Sequence, residues 1–285
     1  FPFISIITPF LNHIPFSLPI QIALAHTVFN VFITILFFPL LDLTSLFLKK
    51  IIPSTSQMDS MYVLRYIDKT LLKYPTLALN QTCREVVRMA GKTITLINDS
   101  RYLFQNFSVD ESKNLLRRDD EIDYIHEHII TFLTDLAQKE LNYNQASEAY
   151  ELIMVTTDIE HVGDVISKGI IPLRKKLHDQ NLIFEKDDLN ELLIFFDTTV
   201  ELLKESLSSF ANRDQKGAKN VRLKKKDMQE RFESYASRHI DRLTVKHQSS
   251  IPLSSVFIDM LEEIHRINFY TNRIAGHVRK ILRVE

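Results

Sequence analysis

The feature that most constrains this chain is a change of solvent partway along it. From Phe1 to Leu48 the only formally charged residue is Asp42, whereas from Lys49 onward about three residues in ten are charged, of both signs. The first stretch suits hydrocarbon and the second suits water. Ile20 to Leu41 runs for 22 residues without a formal charge. As a helix it would extend about 33 Å, against a bilayer core of about 30 Å. The expectation is a membrane-spanning helix; a buried core helix of a globular protein is the alternative. An earlier apolar piece, Phe1 to Leu11, reads as the tail of a preceding span, turned by Asn12-His13-Ile14-Pro15 and Pro19. Lys49 and Lys50 directly follow the span, with Arg65, Lys69 and Lys73 beyond. Basic residues at an exit mark the cytoplasmic side.

The chain opens at Phe1-Pro2-Phe3 with no basic segment ahead of the apolar run. That argues against a signal peptide and for a fragment of a longer, multi-pass membrane protein. Inside the expected span His26, Asn30 and Thr34 recur every fourth residue, with Thr27 beside them, and so share one face. Polar groups in hydrocarbon need partners. The stripe therefore lines a transport path or bonds to neighbouring helices.

Past the span, 35 basic residues against 36 acidic ones give no global pull toward nucleic acid. Five glycines and sparse proline favour long helices over a turn-rich β fold. The lone Cys83 cannot close an intrachain disulfide, which suits a reducing compartment. Residues 1–50 are read as the end of a membrane domain and 51–75 as a juxtamembrane linker. That linker holds the polar run Pro53 to Gln57 and an amphipathic piece, Met61 to Leu72. Residues 76–285 are read as a cytoplasmic helical domain. Apolar residues at helical spacing predict helices over 76–107, 110–141, 144–178, 187–211, 214–245 and 252–282. Pro172 kinks the third, and Pro252 suits a first helical turn. The order repeats, over about 76–178 and 187–283, with Ile159 and Ile264 at equivalent places. The apolar stripes are wider than a coiled-coil seam, so each set of three makes a bundle. The fold class expected is all-α.

One cluster carries chemistry. In Asp158-Ile159-Glu160-His161-Val162-Gly163-Asp164, Glu160 and Asp164 lie one helical turn apart, with Asp158 and His161 on an adjoining strip. Stacked carboxylates repel unless a cation intervenes. A divalent ion with oxygen ligands (Mg, Mn or Fe) resolves that; Lys168, one turn on, resolves it as a plain surface ion pair. Gly163 inside a helix costs about 1 kcal/mol against Ala, so it should serve close packing or a bulky neighbour. Asp119, Asp120, Glu121 and Asp123 read as a solvated acidic face near a helix start. Arg213, Lys216, Lys219, Arg222 and Lys224 to Lys226 read as a basic strip, exposed or against anionic lipid. Gln248-Ser249-Ser250 reads as a loop. No nucleophile–base pairing or phosphate loop is evident, so no enzyme is expected.

The segment Asp158 to Asp164 resembles the Glu-x-x-x-Asp signature of PhoU, a phosphate-signalling family built of two three-helix bundles. Gln21 to Asn30 looks like the last membrane helices of bacterial sodium–phosphate cotransporters, and Pro75-Thr76-Leu77-Ala78-Leu79 resembles the start of their PhoU-like tail. The resemblance implies multinuclear metal binding at Glu160 and Asp164, with Asp158 beside them. It also implies inorganic phosphate and sodium as substrates, bound in a missing N-terminal region. The lipid bilayer and a second copy or a regulatory protein follow as partners, and the inner membrane as location. The alternative is a membrane-tethered PhoU-like signalling module that transports nothing. The second repeat departs from the signature, with His265 and Phe269 where Glu160 and Asp164 would recur.

Overall fold

A computed structural model describes residues 18–38, 62–246 and 251–284. The expected earlier span at Phe1 to Leu11, the polar run Pro53 to Gln57 and the Gln248-Ser249-Ser250 loop lie outside the described residues. Close contacts divide the chain into two units, 1–63 and 64–285.

The first unit contributes α1 (Leu18–Phe37). It stops two residues before Pro39, whose ring disfavours helix in the residue preceding it. His26, Asn30 and Thr34 share a face, and their described hydrogen bonds stay inside the helix. Asn30 Nδ2 lies 3.1 Å from His26 Nδ1, and Thr34 donates to the Asn30 carbonyl at 2.8 Å. Thr27 likewise donates to the Ala23 carbonyl at 2.9 Å. Among the described residues no helix is long and apolar enough to cross a membrane. Of the span expected over Ile20 to Leu41, the structure describes a 20-residue apolar helix with a polar stripe, and Pro39 to Leu41 lie outside the described residues.

The second unit holds eight further helices among the described residues. The first bundle comprises α2 (Pro75–Ser100), α3 (Val109–Ala137) and α4 (Tyr143–Asp164). Each start is chemically marked. Pro75 occupies the first turn of α2, where its missing N–H costs nothing. Ser108 accepts from the Glu111 N–H at the start of α3, and Asn142 with Gln145 forms a reciprocal capping box on α4. Val86, Met89, Ile122, Ile129, Val155 and Ile159 fill the core between them. Of the amphipathic piece expected over Met61 to Leu72, residues 62–68 are irregular, ahead of a short 3-10 turn at Lys69–Lys73. The buried Glu85 carboxylate captures it, accepting from the backbone N–H groups of Arg65 and Tyr66 at 3.0 and 2.7 Å.

After α4 the backbone widens into one π-helical segment, Val165–Ile170, before resuming as α5 (Ile171–Asp179). The Ile171 N–H reaches the Ile166 carbonyl, five residues back. Pro172 explains the widening, because it has no N–H and its ring would strike the carbonyl four residues earlier. The distortion expected at Pro172 thus falls before it.

The second bundle comprises α6 (Lys186–Ala211), α7 (Gln215–Leu223), α8 (Lys225–Lys246) and α9 (Ile251–Val284). The single helix expected over 214–245 divides at Lys224. Its N–H is shared between the carbonyls of Asn220 and Val221, a tightened turn that ends α7. Phe195, Phe196, Leu203, Val221, Phe257 and Ile264 form this bundle's core. The bundles join where α4 packs on α9 and α2 on α6, with the Phe104 and Phe196 rings 4.8 Å apart.

Candidate functional site

Asp119 and Asp123 are four residues apart on α3, and Glu160 and Asp164 are four apart on the facing α4, so each pair stacks along its helix. The helices face each other through these pairs. Ligand oxygens of Asp119, Asp123 and Asp164 all lie within 4.8 Å of one another. Asp119 is only 4% exposed. A β-carbon at Gly163 would stand 2.6 Å from Asp119 Oδ1, so the glycine is what lets the carboxylate in. The bulky neighbour expected of Gly163 is an acid.

Burial, then the field of the other acids, sets the proton chemistry. Burial is the larger cause at Asp119, whose carboxyl is pushed up to about 6, against a hydrogen bond from Ser167 that pulls it down. Glu160 is pushed up to about 7, by burial first and then by Asp164 and Asp123. Asp123 is raised by burial first, with Lys168 opposing and Asp164 and Asp120 adding to it. The Lys168 ammonium, carried by the π-helical turn, stands 2.5 Å from Asp164 Oδ1. π-turns of this kind recur at functional sites. His126 of α3 and His161 of α4 flank the acids, and burial lowers both.

These residues fit a divalent metal ion. The inner Oδ1 atoms of Asp119 and Asp123 have no hydrogen-bond partner, although both are closed off from water. Buried carboxylate oxygens without donors are costly unless a cation answers them. An all-oxygen set from two helices suits Mg, Mn or Fe. Lys168 supplies one positive charge on the same ground, the ion pair anticipated from its position.

Asp158 does not join this group. Two residues from Glu160, it points to the other side of α4, fully buried against α9. There Arg273 Nε lies 3.3 Å and His277 Nε2 3.7 Å from its oxygens. Burial pushes Asp158 up to about 7, with Arg273 opposing. His277 also meets Glu151 at 2.5 Å, and Lys280 meets it at 3.5 Å. This is a polar seam between the bundles. Of Asp158, Glu160 and Asp164, the set read from sequence, the structure brings Asp164 together with Asp119 and Asp123, leaves Glu160 near enough for their charges to raise it, and places Asp158 on the seam with Arg273 and His277. Asp119 was readable from the sequence, because it falls on the apolar stripe between Leu115 and Ile122 and so faces inward.

In the second bundle the matching ground is aromatic. His265 stacks on Phe232 of α8 with ring centroids 4.5 Å apart, and Phe269 carries the Arg273 guanidinium over its face at 5.7 Å. The basic strip from Lys216 to Lys226 is largely exposed and partly paired, Lys224 with Glu205 and Lys226 with Glu230.

Residues 86–169 and 192–278, one segment in each bundle, match the family described as the PhoU domain. Three curated relatives, from Escherichia coli K12, Shigella flexneri and Salmonella typhimurium, bear the name "Putative inorganic phosphate export protein YjbB". Each is 24% identical over 243 residues, covering 85% of this chain and 45% of the relative. The chain therefore spans less than half the length of these relatives. Among solved structures, PhoU from Pseudomonas aeruginosa superposes with a TM-score of 0.66 at 16% identity, covering 72% of this chain and 97% of that one. The phosphate transport system regulatory protein PhoU from Streptococcus pneumoniae gives 0.61 at 15%, with 74% and 98% covered. At those identities the likeness speaks for the fold.

Proposed function

Because the chain belongs to the PhoU domain family, we propose that it is the regulatory helical part of a membrane protein that moves inorganic phosphate. In this reading it binds a divalent metal ion between α3 and α4 and passes the state of that site to a transport path elsewhere in the protein. The observation that carries it is the approach of Asp119, Asp123 and Asp164, whose ligand oxygens lie within 4.8 Å of one another, with the inner oxygens of Asp119 and Asp123 lacking a hydrogen-bond partner. The names of the matched relatives supply phosphate as the cargo, and the portion of those relatives beyond this match is where we place the path. We place the protein at the inner membrane, with this domain on the cytoplasmic side. We assign the domain binding and regulation rather than turnover. Sodium coupling is the finer part of the proposal, and rests on the resemblance of Gln21 to Asn30.

The test has two arms. Purified chain dialysed against Mg, Mn or Fe is expected to retain metal, and Asp119→Asn with Asp164→Asn to lose it; equal retention by both overturns the metal reading. Vesicles carrying the whole protein are expected to pass labelled phosphate in proportion to a sodium gradient. Phosphate flux indifferent to sodium removes the coupling, and no flux at all leaves a signalling module.

A further inference from the structure

A second charged surface borders the metal pocket, and it is cationic. On α9, Arg266, Tyr270 and Arg273 follow one another at spacings of four and three, which places them on one face. His161 of α4 stacks against the middle of that face, its ring centroid 5.0 Å from that of Tyr270. His161 Nδ1 has no hydrogen-bond partner. The same imidazole touches the metal pocket, with Nε2 3.7 Å from Glu160 Oε2. We propose that His161, Arg266, Tyr270 and Arg273 form a seat for a phosphoryl anion, which reaches from these donors to a metal ion held by Glu160 and Asp164.

The cations are placed to be recruited. Arg266 Nη1 donates to both oxygens of Glu263, three residues back on its own helix, at 2.8 Å, and Arg266 is also hydrogen-bonded to Tyr270. Arg266 itself is half exposed, so its guanidinium stays within reach of a competing anion. Arg273 shares its charge between the buried Asp158 and the exposed Phe269 ring. Burial lowers His161, and the fields of Arg273, Arg266 and Lys168 lower it further against Asp164, so three cations look onto one imidazole. Two guanidinium forks and a phenol provide the planar, charge-assisted donors that phosphoryl oxygens take.

The neighbouring acids decide when the seat works. Without metal, the carboxylates of Glu160 and Asp164 repel an anion at His161. A divalent ion, if held by Asp119, Asp123 and Asp164, would invert that field and supply positive charge to a phosphoryl oxygen. Metal and phosphate then favour each other by the same factor, as linkage demands. The inference rests on the metal reading given above, and its test separates the two.

Inorganic phosphate is titrated calorimetrically into the purified chain with and without Mn, with metal content measured in each sample. The expected result is phosphate binding in the Mn-loaded chain, at least roughly tenfold weaker without Mn. Arg266→Gln should weaken it by roughly tenfold or more, about the effect of one lost charge-assisted hydrogen bond, with helix content and metal retention unchanged. Arg266→Gln with Arg273→Gln should abolish it. Phosphate should also raise Mn affinity by the factor by which Mn raises that of phosphate. No phosphate binding in either state, or binding that the arginine variants leave intact, overturns the seat. Phosphate binding that depends on Arg266 in a chain retaining no metal supports the seat and removes the metal reading. The same chemistry could come from a lipid headgroup, so vesicles containing phosphatidic acid form a parallel arm. Arg266-dependent capture on those vesicles with no affinity for free phosphate overturns the proposal.

Discussion

Asp119 of α3 and Gly163 of α4 are a matched pair: a β-carbon on the glycine would lie 2.6 Å from the aspartate's Oδ1. The carboxylate is closed in by α4 because residue 163 has no side chain. Gly163→Ala would gain about 1 kcal/mol of helix propensity, yet the clash must move a short, buried side chain or part the helices. Overpacking of this kind costs about 1–3 kcal/mol. The variant is expected to melt at or below the wild-type temperature and to hold a divalent metal at least tenfold more weakly. Thermal unfolding and metal titration on the same sample check both. A more stable variant with unchanged affinity would show that Asp119 has room to spare.

The acids of the pocket and the bundle seam tie stability to pH. Asp119 is raised to about 6, and Glu160 and Asp158 to about 7, from ordinary values near 4. Raised folded-state values mean the folded chain keeps protons that the unfolded chain releases. The stability this confers is complete below about pH 4 and is lost as pH climbs through about 6 to 7. Each unit is worth about 1.4 kcal/mol. The histidines His126, His161, His265 and His277, held below their ordinary value by burial, offset part of the loss because they gain stability as pH rises. The metal-free chain is expected to be less stable at pH 8 than at pH 5, by a few kcal/mol. Saturating divalent metal should recover the share of Asp119 and Glu160 and leave that of Asp158. Urea unfolding at pH 5, 6.5 and 8, with and without metal, reads this directly; a flat metal-free profile contradicts it.

Asp158→Asn separates the two carboxylate groups that sequence spacing joined. Asp158 is fully buried and lies with Arg273 and His277 on the bundle seam, away from Asp164. Burial outweighs the attraction of Arg273 at Asp158, so removing its charge relieves more desolvation than it loses in ion pairing. The expected outcome is unchanged metal retention, with stability at pH 8 no lower than that of wild type. Loss of metal on this substitution would return Asp158 to the ligand set.

What the sequence disclosed follows the physics of periodicity. The helices of both bundles announced themselves because a buried stripe must recur every three or four residues, and the stripe through Leu192, Phe195, Phe196, Val200 and Leu203 does so without interruption. Glu160 and Asp164 drew attention in the sequence because the i, i+4 spacing is local. Asp119 and Asp123 carry the same spacing, but a run of acids on a helix is usually a solvated face. Which helix faces which is a long-range fact that the run itself does not contain. Asp158 was misplaced for the converse reason, since two residues along a helix is about 200° around it. The grip of Glu85 on Arg65 and Tyr66 spans about twenty residues and has no local signal at all.

The second bundle makes the last prediction, that metal binding stays confined to the first. Glu160 and Asp164 have His265 and Phe269 in their places, and the helix facing His265 contributes Phe232 in stacking contact. One turn earlier on that helix stands Met228, 3% exposed. A metal there would have to replace the ring contact between Phe232 and His265. Restoring half of the signature is therefore insufficient. His265→Glu with Phe269→Asp places one acid against Phe232 and the other on an exposed face beside Tyr270 and Arg273, with Glu233 of α8 the facing acid whose charge reaches position 265. The double variant should bind no more metal per chain than wild type and should be destabilised, because an acid beside a ring loses stacking and is poorly solvated. Metal per chain is counted by equilibrium dialysis. In the Asp119→Asn, Asp164→Asn background the count should fall to zero with or without the two new acids. A gain of bound metal on adding Glu and Asp at 265 and 269 alone would show that the α8–α9 face is competent after all, and that only the signature residues were missing.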